Sequence, residues 1–281
     1  MNSTLSTGLL LFALHAATAV AAAPTLEPAW KVEGLSNPES VVLADSGEFY
    51  VSNVAGEGDA KDGVGFISRV TQDGKLLQRE WVAGLNAPKG LALREGKLYA
   101  SDITDLVVID VAQAKIAARI PLPEAKFLND VAFGPDGQVL VSDSAGARIY
   151  IWDGKEATIW LADEALRSVN GLLPEAKSLI VTTMQGKLLS VDWKDRKIST
   201  LAQDLGNADG VTRLDDGKFL VSEWPGRLFH VALSDEASTS TVIDSREQKI
   251  YLNDFLRVGD LLIAPNWEPS TLTAYRIVRQ P

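Results

Sequence analysis

The chain has 281 residues, 46% of them hydrophobic and 7% aromatic, and its 27 basic and 37 acidic side chains give a net charge of −10. The absence of cysteine excludes a disulfide scaffold, a thiolate zinc site and a cysteine nucleophile. The acidic balance argues against a nucleic-acid or anionic-membrane footprint, and the apolar fraction is that of a globular protein.

Residues 2–23 carry no charged side chain. The apolar run Gly8-Leu9-Leu10-Leu11-Phe12-Ala13-Leu14 is followed by small residues from Ala16 to Ala23, with Ala19-Val20-Ala21 as a small-x-small cleavage pattern. This predicts a secretory signal peptide over 1–22, because the apolar core is too short to span a bilayer. An uncleaved amino-terminal anchor is the alternative, since no Lys or Arg precedes the run. The remaining 23–281 is then a soluble, exported domain, periplasmic or secreted. His15 departs with the leader, so His230 is the one histidine left and a catalytic histidine pair is excluded.

Six similar phrases follow in chain order: Asn37-Pro38-Glu39-Ser40-Val41, Ala87-Pro88-Lys89-Gly90-Leu91, Leu128-Asn129-Asp130-Val131, Val169-Asn170-Gly171-Leu172, Ala208-Asp209-Gly210-Val211 and Leu252-Asn253-Asp254-Phe255. Each is followed by a turn and a β-rich run such as Phe49-Tyr50-Val51-Ser52 or Val139-Leu140-Val141-Ser142, and most by a third and fourth short run. Four antiparallel strands per repeat of about forty residues describe a propeller blade. The residues Glu39, Lys89, Asn129, Asn170, Asp209 and Asn253 occupy one position of the repeat, at spacings of 50, 40, 41, 39 and 44. The last repeat is short by about the length that precedes the first. The expected fold is therefore an all-β, six-bladed β-propeller with its last blade completed by a strand near Trp30-Lys31-Val32. A six-repeat solenoid is the alternative, but it would not need a split repeat.

Entering the innermost strand at one height, the six anchors should ring the central axis on one face. Carboxylates and amides without His or Cys are the donors of a hard cation, so one divalent ion is expected, calcium first, with magnesium, manganese or zinc as alternatives. A hydrated polar channel without metal is the bland alternative. The second strands should return to the same face with Asn53, Asp102, Asp143, Thr183, Glu223 and Asn266 at their ends. Asp102 and Asp143 can orient ligands or move protons there, although Asp and Asn favour such turns anyway. Trp224 and Trp267 follow two of these ends and can wall a pocket or pack between blades. The insertion from Ala55 to Gly65 falls on this face and can act as a lid. His230 lies in a third-strand run and is expected to be structural.

On these motifs the chain resembles the regucalcin/gluconolactonase family of six-bladed propellers. Pro38-Glu39-Ser40 stands where that family has Glu-Gly-Pro. Asn129-Asp130, Val169-Asn170-Gly171 and Ala208-Asp209-Gly210 match its Asn-Asp, Ser-Asn-Gly and Pro-Asp-Gly elements. The resemblance implies a divalent metal on Glu39, Asn129, Asn170 and Asp209, hydrolysis of a small lactone, and Asp209 handling the proton of the attacking water. Phe127 stands where sugar-lactone members carry Arg, which implies a more apolar substrate. Lys89 adds a cation able to stabilise an oxyanion, bind a substrate carboxylate or pair with Glu39. The expected partner is a small molecule in a pocket that includes Phe127, Asn253, Asp102, Asp143, Glu223, Trp224 and Trp267. Neither a nucleic acid nor, after cleavage, a membrane is expected. Oligomeric state is left open. A non-catalytic propeller binding a small molecule or a protein is the competing reading.

Overall fold

The computed structural model describes residues 23–233 and 237–279. The leader expected over 1–22 lies outside the described residues. No helix among them is long and apolar enough to cross a membrane.

The chain forms six four-stranded antiparallel sheets arranged as a ring. The first strand in the chain is β1 (Thr25–Val32). Blade 1 is β2 (Pro38–Leu43), β3 (Phe49–Asn53), β4 (Gly65–Val70) and β5 (Leu76–Leu85); blade 2 is β6 (Pro88–Arg94), β7 (Lys97–Asp102), β8 (Asp105–Asp110) and β9 (Lys115–Pro121). Blade 3 is β10 (Leu128–Phe133), β11 (Val139–Asp143), β12 (Arg148–Trp152) and β13 (Ala157–Ala162); blade 4 is β14 (Val169–Pro174), β15 (Ser178–Thr183), β16 (Lys187–Asp192) and β17 (Ile198–Ala202). Blade 5 is β18 (Asn207–Arg213), β19 (Phe219–Trp224), β20 (Arg227–Ala232) and β21 (Ser238–Asp244). Blade 6 contains β22 (Leu256–Val258), β23 (Leu261–Asn266) and β24 (Thr271–Val278), and β1 is its outermost strand. The register of β1 against β24 runs from Thr25 opposite Val278 to Val32 opposite Leu272. This closure is the one the split repeat predicts.

The apolar pattern follows from the packing. Second strands such as β3 and β11 are buried at every residue because neighbouring blades cover both faces. The outermost β9 is mostly exposed. The core lies between blades: Tyr50, Ile67 and Trp81 of blade 1 pack on Leu91, Leu98 and Val107 of blade 2, and Tyr50 stacks on Trp81 at 4.5 Å. The turns between first and second strands use glycine where the backbone turns left-handed, as at Gly137 and Gly217 with φ of 83° and 84°.

One irregularity recurs at the same place. In blades 1 to 5 the pairing of the two innermost strands breaks register between Pro38 and Val41, Pro88 and Leu91, Leu128 and Val131, Val169 and Leu172, and Ala208 and Val211. Each gap holds the anchor residue and its successor. A bulge re-aims a side chain that regular pleating would point into the blade. Five bulges thus turn five anchors toward the axis, and Asn253 enters the sixth position just ahead of β22.

Candidate functional site

All six anchors line one cavity of about 180 Å³, open to solvent, together with Gly58, Phe127, Met184, Trp224 and Trp267. Each anchor is buried, with exposures from 3% for Asn170 and Asp209 to 7% for Asn129.

The two carboxylates are short of partners. Glu39 Oε2 and Asp209 Oδ1 are buried oxygens with no hydrogen-bond donor. Burial pushes Glu39 well above the usual carboxylate range, Asp209, Asp254 and Asp130 add to this, and Lys89 opposes. Burial and the Asp254 charge push Asp209 well above its usual value, while a hydrogen bond from the Asn170 amide opposes. A buried carboxylate oxygen without a donor is costly unless a proton or a cation takes it up. Among the described residues no group of three His, Cys, Asp or Glu side chains forms a metal cluster. Here the donor set is two carboxylates with three amides, which fits a hard divalent ion completed by water and not a nitrogen–sulfur zinc site.

Beneath the anchors lie two carboxylates that the sequence reading passed over. Asp130 and Asp254 directly follow Asn129 and Asn253. Asp130 accepts the backbone N–H of Val131 and of Leu172 in the next blade, both at 2.7 Å. Asp254 accepts the Ser40 hydroxyl at 2.8 Å, joining blade 6 to blade 1. Burial raises both, Asp130 well above its usual value and Asp254 to about 6. Their signal in the sequence is the repeated Leu-Asn-Asp phrase.

A hydroxyl device fixes the anchor backbones. Ser142 accepts the Asp130 N–H at 2.8 Å in its own blade and donates to the Asn170 carbonyl of the next, also at 2.8 Å. Thr182 accepts the Gly171 N–H at 2.8 Å and donates to the Asp209 carbonyl. Ser101 donates to the Asn129 carbonyl. The three carbonyls so held belong to Asn129, Asn170 and Asp209.

The ends of the second strands stand differently from the sequence expectation. Asp102, Asp143 and Glu223 are not in the cavity wall, and their carboxylates are spent on loop backbone and arginine. Asp102 accepts the Asn86 and Ala87 N–H groups at 3.0 and 2.8 Å and pairs with Arg119 at 2.8 Å. Asp143 accepts the Phe127 and Gly146 N–H groups at 2.9 and 3.0 Å. Glu223 pairs with Arg227 at 2.9 Å. Asn53 and Asn266 serve neighbouring backbone and hydroxyls in the same manner. The turn chemistry of Asp and Asn accounts for them. Asp102 and Asp143 nonetheless support the site, because the segments they hold carry Lys89 and Phe127.

Lys89 makes no ion pair with Glu39. Its ammonium donates to the Gly58 carbonyl at 2.8 Å and the Ala87 carbonyl at 3.2 Å, and lies 4.3 Å from the centre of the Phe127 ring. Gly58 belongs to the Ala55–Gly65 insertion, which therefore reaches over the cavity and is tied to blade 2 by a Lys61–Thr104 hydrogen bond of 2.7 Å. Trp224 meets Trp267 edge-on at 5.9 Å and Tyr251 at 5.8 Å, and Trp267 packs on the cluster of Val54, Ala87 and Ile103. Gly58 lies in the insertion that the sequence placed on this face, whereas Met184 is a wall residue the sequence did not single out, since nothing in its loop repeats. His230 is buried in β20 outside the wall, and burial lowers its pKa.

The arrangement can bind a cation among its anchors, hold an apolar body between Phe127, Met184 and the two tryptophans, and present one ammonium. No protein-family model and no curated protein matches the chain. Among solved structures it is similar to virginiamycin B lyase from Staphylococcus aureus, with a TM-score of 0.58 at 12% identity over 86% of this chain and 95% of that one. It is also similar to a streptogramin B lyase, with a TM-score of 0.61 at 10% identity over 90% and 98%. At these identities the likeness is one of fold, and it agrees with the strand order: the chain is a six-bladed β-propeller closed by its amino-terminal strand.

Proposed function

We propose that the protein is an exported, divalent-cation-dependent enzyme that opens a small, largely apolar lactone by hydrolysis, with calcium as its ion. The observation that carries the reading is the pair of buried oxygens without donors, Glu39 Oε2 and Asp209 Oδ1, in one wall with Asn129 and Asn170. Those four residues would hold the ion, as the resemblance to the regucalcin/gluconolactonase family implies. When bound it supplies Lewis-acid polarisation of an ester carbonyl and a lowered pKa for water. The chain's own residues do the rest. Phe127, Met184, Trp224 and Trp267 hold the apolar body and keep bulk water out. Asp209 would take the proton of the attacking water, the role that the same resemblance implies. Asn170 orients its carboxylate.

The test is metal content and turnover together. The mature protein should bind about one calcium, melt higher with calcium than with EGTA, and open at least one member of a panel of aliphatic, aromatic and sugar lactones. Asp209→Ala and Asn170→Ala should each abolish opening while keeping a cooperative melt. Full turnover in both variants, or no response of melting to any divalent ion, overturns the reading.

A second reading has its own support. Both similar solved proteins are named lyases, so the ring could open by elimination instead. Turnover in ¹⁸O-water separates the two, because hydrolysis places solvent oxygen in the product and elimination leaves an alkene without it. Bound calcium with no turnover on any lactone would favour a binding protein.

A further inference from the structure

Lys89 is 5% exposed and is the one cationic side chain in the described cavity wall. Its carbonyl contacts to Gly58 and Ala87 use two of its three N–H bonds. The third has no partner among the described residues, and no carboxylate there pairs with it. Of the acids whose charge reaches it, Glu39 and Asp102 are buried, and Asp102 is already paired with Arg119 at 2.8 Å. Asp59 is exposed on the insertion loop. A buried ammonium without a counter-ion is costly and is retained where something else meets it. Burial accordingly lowers its pKa, with Glu39, Asp102 and Asp59 opposing.

Its place in the ring says which end of a ligand it meets. Lys89 enters from blade 2 and Asp209 from blade 5, which stand opposite each other in a ring of six. A carbonyl reacting beside Asp209 is thus across the cavity from the ammonium. Lys89 meets the end of the ligand that lies beside Gly58 of the insertion and the Phe127 ring. Between the two poles the wall carries the amides of Asn129, Asn170 and Asn253 together with the apolar side chains Phe127, Met184, Trp224 and Trp267. The charged side chains of the wall, Glu39, Asp209 and Lys89, sum to one negative charge, and a bound divalent ion would turn this to one positive. One anionic group on the ligand restores neutrality.

We propose that Lys89 binds a carboxylate carried by the substrate, so that the cavity selects a small acidic molecule with an apolar or aromatic body. As a substrate class this rests on the cavity being the site of ring opening, but the binding itself does not require turnover.

The experiment uses the mature protein with 3-phenylpropionate and its neutral isostere 3-phenylpropionamide, followed by tryptophan fluorescence and calorimetry, in calcium and in EGTA. The acid should bind about 10-fold or more tightly than the amide in both conditions, the size of a charged hydrogen bond. Lys89→Met and Lys89→Gln should bring the two probes within about 2-fold by weakening the acid far more than the amide, with a cooperative melt retained, and Lys89→Arg should keep part of the preference. The Gln variant keeps a hydrogen bond to Gly58 if the Met variant fails to fold. Equal binding of the two probes, no binding of either at millimolar concentration, or a preference that survives both neutral variants overturns the proposal. A preference that needs calcium but not Lys89 places the carboxylate on the ion, which overturns the role of Lys89 and leaves the metal site standing. A Lys89-dependent preference in a protein that opens no lactone upholds the role and overturns the enzymatic reading.

Discussion

At the scale of the residue, the burial of Glu39 and Asp209 sets two opposite demands. Without a cation each is more stable protonated, and with one each is more stable charged. Asp209→Asn should therefore raise the melting temperature in EGTA and lower it in calcium relative to the parent, a crossing that a merely structural residue would not produce. The same burial fixes a pH dependence. Asp254, raised to about 6, and Glu39 and Asp209, each raised well above the usual carboxylate range, keep their protons in the folded state after the unfolded chain has released them near pH ~4. The folded state then binds more protons, so stability in EGTA is greatest below about pH 4–5 as far as these groups decide it, and falls as pH rises through 6 and beyond. Asp254 alone accounts for a loss on the order of 3 kcal/mol when fully ionised. Denaturation in EGTA at pH 5 and pH 8 checks this, and Asp254→Asn should flatten the slope. A stability that rises over that interval in EGTA would count against the burial argument. The anchors were legible because a repeat makes one polar position stand out among apolar ones. Asp102, Asp143 and Glu223 were over-read, since an acid at a strand end looks alike whether it faces a cavity or caps a loop. Asp130 and Asp254 were passed over because, one residue past the anchor, they serve the next blade and not the cavity.

At the scale of the element, the site is made by a bulge and a hydroxyl. The bulge turns the anchor inward, and the hydroxyl from the preceding blade holds its carbonyl. Thr182→Val keeps volume and leaves the Gly171 N–H and the Asp209 carbonyl without their buried partner, at a cost of about 1–3 kcal/mol. Because Asp209 is the residue released, calcium affinity should fall about 10-fold as well, as for loss of a supporting contact behind a ligand. Gly171→Ala reaches the same place by steric means: a Cβ there would lie 2.5 Å from the Asp209 carbonyl oxygen, and backbone gives way poorly. Calcium titration alongside urea denaturation reads both effects. Unchanged affinity in both variants would mean that the clasp holds the blades but not the ligand. Blade 6 has Pro265 where the other blades carry Ser or Thr, and there the Ser40–Asp254 side-chain contact spans the junction instead. Strands and turns were readable from alternation and glycine. The clasp was not, because a strand serine is ordinary and its partner is a repeat away.

At the scale of the whole molecule, closure ties stability to the site. β1 completes blade 6, and it also covers blade 1: Val32 and Leu35 share a core with Val41, Phe49, Ile263 and Leu272, and the Trp30 ring lies 6.1 Å from that of Phe49. The same seam is stitched by Asn37, whose N–H donates to Ser270 Oγ at 3.1 Å and whose amide donates to the Trp267 carbonyl at 3.3 Å. Glu39 stands two residues further on. A solenoid losing a terminal strand would lose only that strand's contacts, because its two ends are independent. A ring losing the strand that closes it exposes an edge of blade 6 and loosens the seam between blades 6 and 1, so Glu39 is held less firmly in its place relative to Asp209. A chain beginning at Glu33 should thus be destabilised by at least about 3 kcal/mol, from the apolar area that β1 covers. It should also lose most of its stabilisation by calcium, although the deleted segment contains no anchor. Urea denaturation with calcium and with EGTA measures both losses. If the shortened chain were weakened equally in the two conditions, the seam would be only a structural joint, and the position of Glu39 would be set within blade 1 alone.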